Sequence, residues 1–281
     1  MKVAIVGVGL IGGSLGLAIK AKGLANKVIG IGRSKESLRK AEELGCVDET
    51  TDDIRRAKDA DLIFLAIPPL AIIDIGKKLS RFAKESIITD VGSTKERIVL
   101  ELSPVLPKFI GSHPMAGSHR QGSESASASL FSKSLVVITP TKDTDISIKE
   151  KVSYFWEELG ARVIEMDAEE HDRIVALSSH IPHILSFSLV DLVKRGGAEA
   201  LVSTGFTDMT RLSLSPPSLW NEICLTNKSN ILSGLSEMKG IISEWQEAIK
   251  RGDILEKFQE TQKEAIAISA QLSANKNASI R

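Results

Sequence analysis

Val3-Ala4-Ile5-Val6-Gly7-Val8-Gly9-Leu10-Ile11-Gly12 lies at the start of the chain and decides how the rest is read. Four apolar residues end in a glycine turn, and the apolar run Leu10–Ala21 follows with helical spacing. Gly7 permits a tight turn, Gly9 leaves the backbone open to close approach, and Gly12 lets helix and strand pack tightly. A helix N-terminus placed after such a turn offers free N–H groups and a positive dipole end to phosphates. The spacing therefore predicts a dinucleotide site built from Gly7, Gly9, Leu10, Ile11 and Gly12.

Working outward, strand and helix patterns alternate. Val28–Ile31, Leu62–Ile67 and Ile87–Asp90 are short apolar runs, with helical runs at Lys35–Leu44, Leu70–Phe82 and Thr94–Leu102 between and after them. Such near-continuous apolar strands suit a parallel sheet covered on both faces. Phe109–Gly111, Leu135–Thr139 and Arg162–Glu165 add later strands, with Ile148–Leu159 as a further helix. The fold class is α/β, a Rossmann-type doubly wound sheet over residues 1–166. From 167 to 281 no strand pattern recurs, and an all-helical domain is expected. Ala168–Val193 reads as one long helix, with Ile174, Leu177, Ile181 and Leu185 on one face and a break or kink at Pro182. Stripes such as Leu235, Met238, Ile242, Trp245 and Ile249 mark core seams and a homodimer interface.

Composition excludes several classes. Formal net charge is zero, with 36 Lys+Arg against 36 Asp+Glu, so no nucleic-acid partner is expected. The uncharged run Val3–Ile19 holds five glycines, which argues against a signal peptide. No stretch reads as long and apolar enough to span a membrane. Cys46 and Cys224 form neither a metal-ligand spacing nor a redox pair; buried free thiols fit a cytoplasmic setting. No metal site is expected, because no Glu or Cys completes a ligand set around the histidines.

The second strand ends Gly30-Ile31-Gly32-Arg33-Ser34, without the acid that usually holds the ribose 2′-hydroxyl of NAD. Arg33 and Ser34 suit a 2′-phosphate, which favours NADP over NAD. Ser112-His113-Pro114-Met115-Ala116-Gly117 follows a strand and is read as a loop at its carboxyl end, where doubly wound folds bind ligands. Asp90-Val91-Gly92-Ser93-Thr94-Lys95 also follows a strand, so Ser93 and His113 are expected to meet. The Ser-rich stretch 117–133 reads as a surface loop or a cover over the site. His171 reads as helix surface.

At these segments the sequence resembles the prephenate/arogenate dehydrogenases. The resemblance rests on the glycine motif, Asp90-Val91-Gly92-Ser93, and Gly111-Ser112-His113-Pro114-Met115-Ala116-Gly117. It extends to Ser179-His180-Ile181-Pro182-His183 and Gly205-Phe206-Thr207-Asp208-Met209-Thr210-Arg211, and so covers nearly the whole chain. It implies oxidative decarboxylation of a cyclohexadiene: hydride leaves C4 for a nicotinamide, the ring carboxylate departs as CO2, and the ring becomes aromatic. His113 then accepts the C4 hydroxyl proton, assisted by Ser93. Arg211 binds a substrate carboxylate, His180 and His183 shape the site, and Trp220 reaches it from a neighbouring subunit. Where some members carry an acid, Ser118-His119 stands here, which favours the keto substrate prephenate over the amino substrate arogenate. With no mutase domain expected before the glycine motif and no regulatory domain after the last helix, any tyrosine inhibition would act at or near the active site. Two other readings fit parts of the chain. A β-hydroxyacid or 6-phosphogluconate-type dehydrogenase would need a lysine where His180 and His183 stand. A non-catalytic nucleotide sensor would not need the Ser93, His113 and Arg211 set.

Overall fold

The computed structural model describes residues 1–117 and 120–278. By contacts it divides into two compact units, Met1–Lys228 and Ser229–Arg281. The first is built on an eight-stranded sheet. Its strands are β1 (Lys2–Val6), β2 (Lys27–Ile31), β3 (Glu49–Thr51), β4 (Leu62–Leu65), β5 (Ile87–Asp90), β6 (Phe109–Pro114), β7 (Leu135–Thr139) and β8 (Arg162–Glu165). Their order is β3-β2-β1-β4-β5-β6-β7-β8, parallel except between β6 and β7. This is the doubly wound arrangement expected from the glycine turn and the strand–helix alternation.

Side-chain alternation sorts the strands onto two cores. Val3, Ile5 and Phe64 face one, with Leu15 and Ile19 of α1 (Leu10–Ala21) and Phe155 and Trp156 of α5 (Ile146–Glu158). Ala4, Val6, Ile63 and Leu65 face the other, with Ile72 and Leu79 of α3 (Pro69–Leu79) and Ile98 and Leu102 of α4 (Glu96–Leu102). Helix α2 (Lys35–Glu43) is capped by Ser34, whose hydroxyl accepts from the Ser37 N–H.

Two features of the sheet differ from the sequence reading. β3, Glu-Thr-Thr at one edge, has no apolar residue to announce it. β6 runs on to Pro114, because antiparallel β7 pairs with residues 111–114. His113 is therefore a strand residue opposite Val137, not a loop residue. Among the described residues the connection between β6 and β7 holds only a short helical turn, Ser123–Ser125, and the two strands pair antiparallel. The ladder pairing with β5 ends at Ile110, beyond which Ser112 is held to β5 through the Asp90 and Thr89 side chains, and Pro114, lacking an N–H, costs that ladder little.

The long helix is continuous from Ala168 to Gly196. It comprises α6 (Ala168–Val175), a π-helical stretch (Ala176–His180) and α7 (Ile181–Gly196). Pro182 cannot donate to the carbonyl four residues back, and the wide π turn absorbs that break without a stop. The phase change also takes Leu177 off the expected stripe, leaving it half exposed, while Ala176, His180 and Ile181 are buried. By length and composition this helix is apolar enough to cross a membrane, contrary to the sequence expectation. Its buried His171, Asp172 and His180 instead belong to a polar network within the first unit. Short helices α8 (Thr204–Thr210) and α9 (Pro217–Thr226) complete that unit; Glu222 accepts from the Leu70 N–H at 3.0 Å.

The second unit is a helical hairpin, α10 (Lys228–Arg251) and α11 (Ile254–Ala278), turning at Gly252 with φ +82. Trp245 and Phe258 meet across it at 5.0 Å, and Lys257 pairs with Glu244 at 2.8 Å.

Close packing of α1 on the chain beyond α2 is tested by Gly16→Val. A Cβ at Gly16 would stand 2.0 Å from the Cys46 carbonyl oxygen, which is backbone and cannot swing away. The expected cost is about 1–3 kcal/mol in urea unfolding; an unchanged midpoint would contradict this packing.

Candidate active site

Two cavities open along the carboxyl ends of the strands. The larger, about 910 Å³, is lined by Gly7, Val8, Gly9, Arg33, Ser34 and residues 121–124. Gly7 turns with φ +94, and a Cβ there would lie 2.3 Å from the Ala66 carbonyl. A Cβ at Gly12 would strike the Gly7 carbonyl at 1.8 Å, whereas Gly9 has nothing within 4 Å. The N-terminus of α1 carries no side-chain cap, so its N–H groups face the cavity unclaimed by a side chain. A Cβ-free approach to bare helix N–H groups fits a pyrophosphate. Leu10 and Ile11 are half-buried on the first turn of the helix behind it. Arg33 is exposed at the rim, and no acid follows β2 directly. Part of the Ser-rich stretch thus borders this cavity and is tied to α1 through the Ser127 N–H and Ser14 Oγ at 3.0 Å.

The second cavity, about 360 Å³, brings together Ser93, His113, His180, His183, Arg211 and Trp220. These come from the β5–α4 loop, β6, the π turn, α7, the turn after α8, and α9. Trp220 enters from the same chain, where the resemblance implied a neighbouring subunit. Its ring stacks on His183 at 3.7 Å and meets His180 edge-on at 5.9 Å. Ser118-His119, which bears on substrate preference, lies outside the described residues.

Burial sets the charge state of the imidazoles. His113 is held well below its usual pKa by burial, helped by His171, Lys95 and His180 around it. His180 is pushed down to about 4 by burial, which the nearby Asp172 only partly opposes. His183 is lowered less; its Nδ1–H donates to the Ser179 carbonyl at 2.9 Å, leaving Nε2 free. The Asn227 amide donates to His180 Nδ1 at 3.1 Å, so neutral His180 carries its proton on Nε2. Arg211 is exposed, and among the described residues no ion pair claims it.

Beneath the cavity lie groups that the sequence reading missed. Lys95 and Asp90 form a fully buried ion pair; burial lowers the Lys95 pKa against the pull of Asp90. Lys95 Nζ donates to the Ser112 carbonyl at 2.9 Å, and Asp90 accepts from the Gly92 and Ser112 N–H groups. That pair binds the Ser93 loop to the strand carrying His113. His171 is buried, not surface: its Nε2 lies 2.9 Å from His113 Nδ1, and its Nδ1 lies 2.8 Å from Asp172 Oδ1. At about 100° per residue, a regular helix would set His171 and His180 on opposite sides; the π turn between them is what lets both face one network. Of the cysteines, Cys46 is buried and Cys224 half-buried; both are free.

A glycine turn under one cavity and a buried imidazole in the next, both at the carboxyl edge of a doubly wound sheet, define a nucleotide-dependent oxidoreductase. Comparison with known proteins narrows this. The family described as "Prephenate dehydrogenase, nucleotide-binding domain" matches residues 15–165, and "Prephenate dehydrogenase, dimerization domain" matches residues 167–264. The chain belongs to the prephenate dehydrogenase family. It is 38% identical over 251 residues to a Bacillus subtilis prephenate dehydrogenase, covering 84% of this chain and 66% of that protein. It is 34% identical to a Zymomonas mobilis cyclohexadienyl dehydrogenase, over 95% of both. Aquifex aeolicus prephenate dehydrogenase, solved with hydroxyphenyl propionate and NAD+, superposes with TM-score 0.89 at 32% identity, over 95% of this chain and 98% of that one. Synechocystis arogenate dehydrogenase gives 0.82 at 30%, over 96% and 100%.

The depressed pKa of His180 has a consequence for stability. Its unfolded value is about 6.5, against about 4 in the fold. Between these values the unfolded chain binds more protons, so stability rises with pH across that window and is lost as pH falls. The contribution is about 3 kcal/mol. Urea unfolding of wild type and His180→Asn at pH 4.5 and 7 should show a shallower pH dependence in the variant; parallel behaviour would contradict it.

Proposed function

We propose that this chain catalyses oxidative decarboxylation of prephenate to 4-hydroxyphenylpyruvate, and/or of arogenate to tyrosine, in tyrosine biosynthesis. The observation that carries the reading is the single cavity holding Ser93, His113, His180, His183, Arg211 and Trp220 beside the glycine turn. NADP+ or NAD+ bound over Gly7, Gly9 and Gly12 supplies the hydride acceptor, with NADP favoured because Arg33 stands where an acid would hold the 2′-hydroxyl. The keto substrate is favoured over the amino one, since Ser118-His119 brings no carboxylate.

His113 and Ser93 face the C4 hydroxyl. Kept neutral by burial, His113 takes the hydroxyl proton as hydride leaves C4: the O–H bond breaks and an N–H bond forms. The bond to the ring carboxylate then breaks, its electron pair enters the ring, and aromatisation makes the step irreversible. Arg211, a planar guanidinium without an ion-pair partner among the described residues, receives a substrate carboxylate. His180, His183 and Trp220 form the wall against which the ring lies. The hydroxyacid dehydrogenase reading lacks its lysine: Lys194 is 77% exposed and paired with Glu199.

The domain boundary is placed at 166/167, between sheet and helices. A homodimer through the helical portion is part of the proposal, supported by half-exposed Phe187 and Val190 on α7 and exposed Leu255 and Ile268 on α11. The free thiols agree with a reducing, cytoplasmic setting.

Three substitutions test the assignment. With prephenate, His113→Asn should lower kcat by about 10²–10⁴-fold while cofactor binding, read by fluorescence, is retained. Arg211→Ala should act mainly by raising KM. Wild-type protein that binds cofactor yet turns over neither substrate would overturn the reading. Arg33→Ala should reduce kcat/KM with NADP+ more than with NAD+; equal effects would remove the argument for NADP.

A further inference from the structure

Asp172, His171 and His113 form a line of hydrogen bonds that runs from the interior into the smaller cavity, with links of 2.8 and 2.9 Å. His113 lines that cavity, and Nε2 is its ring nitrogen outside this line of bonds. Which nitrogen of each ring carries its proton follows from the other partners. Asp172 Oδ1 accepts from the Lys95 N–H at 2.7 Å, and Oδ2 accepts from the Glu96 N–H at 3.0 Å. With backbone donors on both oxygens, the carboxylate is an acceptor, and its link to His171 is donated by His171 Nδ1–H.

A neutral His171 protonated on Nδ1 has a bare Nε2. That nitrogen can only accept, so His113 must donate to it from Nδ1. His113 is then left with an unprotonated Nε2 turned to the cavity, which is the form that a general base requires. The opposite tautomer would place N–H against the substrate hydroxyl and accept nothing.

We infer that His171 and Asp172 are positioning residues that lock His113 in its Nδ1–H tautomer and so keep Nε2 available as the proton acceptor. The proposal rests on the dehydrogenase reading and deepens it. Neither residue lines the cavity, so neither touches substrate. When His113 gains its second proton, the charge stays on its ring, and its Nδ1–H remains donated to His171, which remains donated to the Asp172 carboxylate. His171, Lys95 and His180 all weigh against a charge on that ring, and Asp172 is the one acid in the line of hydrogen bonds. The logic parallels the orienting carboxylate of a hydrolase triad, where the wrong tautomer rather than lost geometry abolishes turnover.

The test has one arm independent of catalysis. Ring-¹⁵N histidine NMR of wild-type protein at pH 7.5 reads the tautomer of His113, assigned by comparison with His113→Asn. The expected result is a protonated Nδ1 and a bare Nε2; a protonated Nε2 overturns the inference. In the second arm, His171→Leu and His171→Gln are assayed with prephenate. Leu removes the acceptor, and kcat should fall on the order of 10²-fold with KM within about two-fold and a mixed His113 tautomer. Gln can turn its carbonyl to His113 Nδ1–H and should recover kcat to within about ten-fold of wild type. A folded Leu variant with unchanged kcat, or a Gln variant as poor as Leu, overturns the inference. If wild type turns over neither prephenate nor arogenate, the dehydrogenase reading falls, and the tautomer measurement still decides the orienting role.

Discussion

One buried carboxylate joins the long helix to the sheet. Asp172 accepts from the Lys95 and Glu96 N–H groups at the start of α4 and from His171 on its own helix, and its backbone carbonyl accepts from Asn227. A carboxylate this far from water is costly unless its lone pairs are satisfied. Here they are satisfied by groups from different elements, so moving any of them leaves a buried charge exposed to nothing. That constraint holds the helix over the carboxyl ends of β5 and β6. The positions of His113, His180 and His183 follow from it.

A second buried charge lies on the sheet side. The Lys95–Asp90 pair is fully enclosed, and it fastens the Gly92-Ser93 turn to the backbone of Ser112. The interior charges are therefore paired or hydrogen-bonded, and His113 and His180 above them are kept neutral by burial. Arg211 is left at the rim as a cation without a partner among the described residues. This division suits a carboxylate-bearing substrate with a hydroxyl to be deprotonated: charge is recognised at the mouth, and the proton is taken in the dry interior.

Much of the fold was legible because its signals are local. The glycine spacing after Val3–Val6 demands a turn and a helix, and two-faced burial writes itself into apolar strands. The edge strand Glu49–Thr51 has no such mark, because its polar residues owe their conformation to β2. The antiparallel step at β7 follows a connection whose described residues form only a short helical turn, which a Ser-rich stretch conceals. The residues that the resemblance marked share one cavity, but His171 was misread as surface. Helical periodicity turns it away from His180, and only the π turn before Pro182 brings both inward. The Asp90–Lys95 pair was equally hidden, since a charged residue after a strand reads by default as solvated.

The central claim is that the smaller cavity holds the substrate with its hydroxyl at His113 and its carboxylate at Arg211. A crystal structure of this chain with hydroxyphenyl propionate and oxidised cofactor tests it most directly. The account predicts the phenolic oxygen within about 3 Å of His113 Nε2, with the propionate carboxylate on the Arg211 guanidinium. A ligand bound in the reverse sense, or outside this cavity, would contradict it.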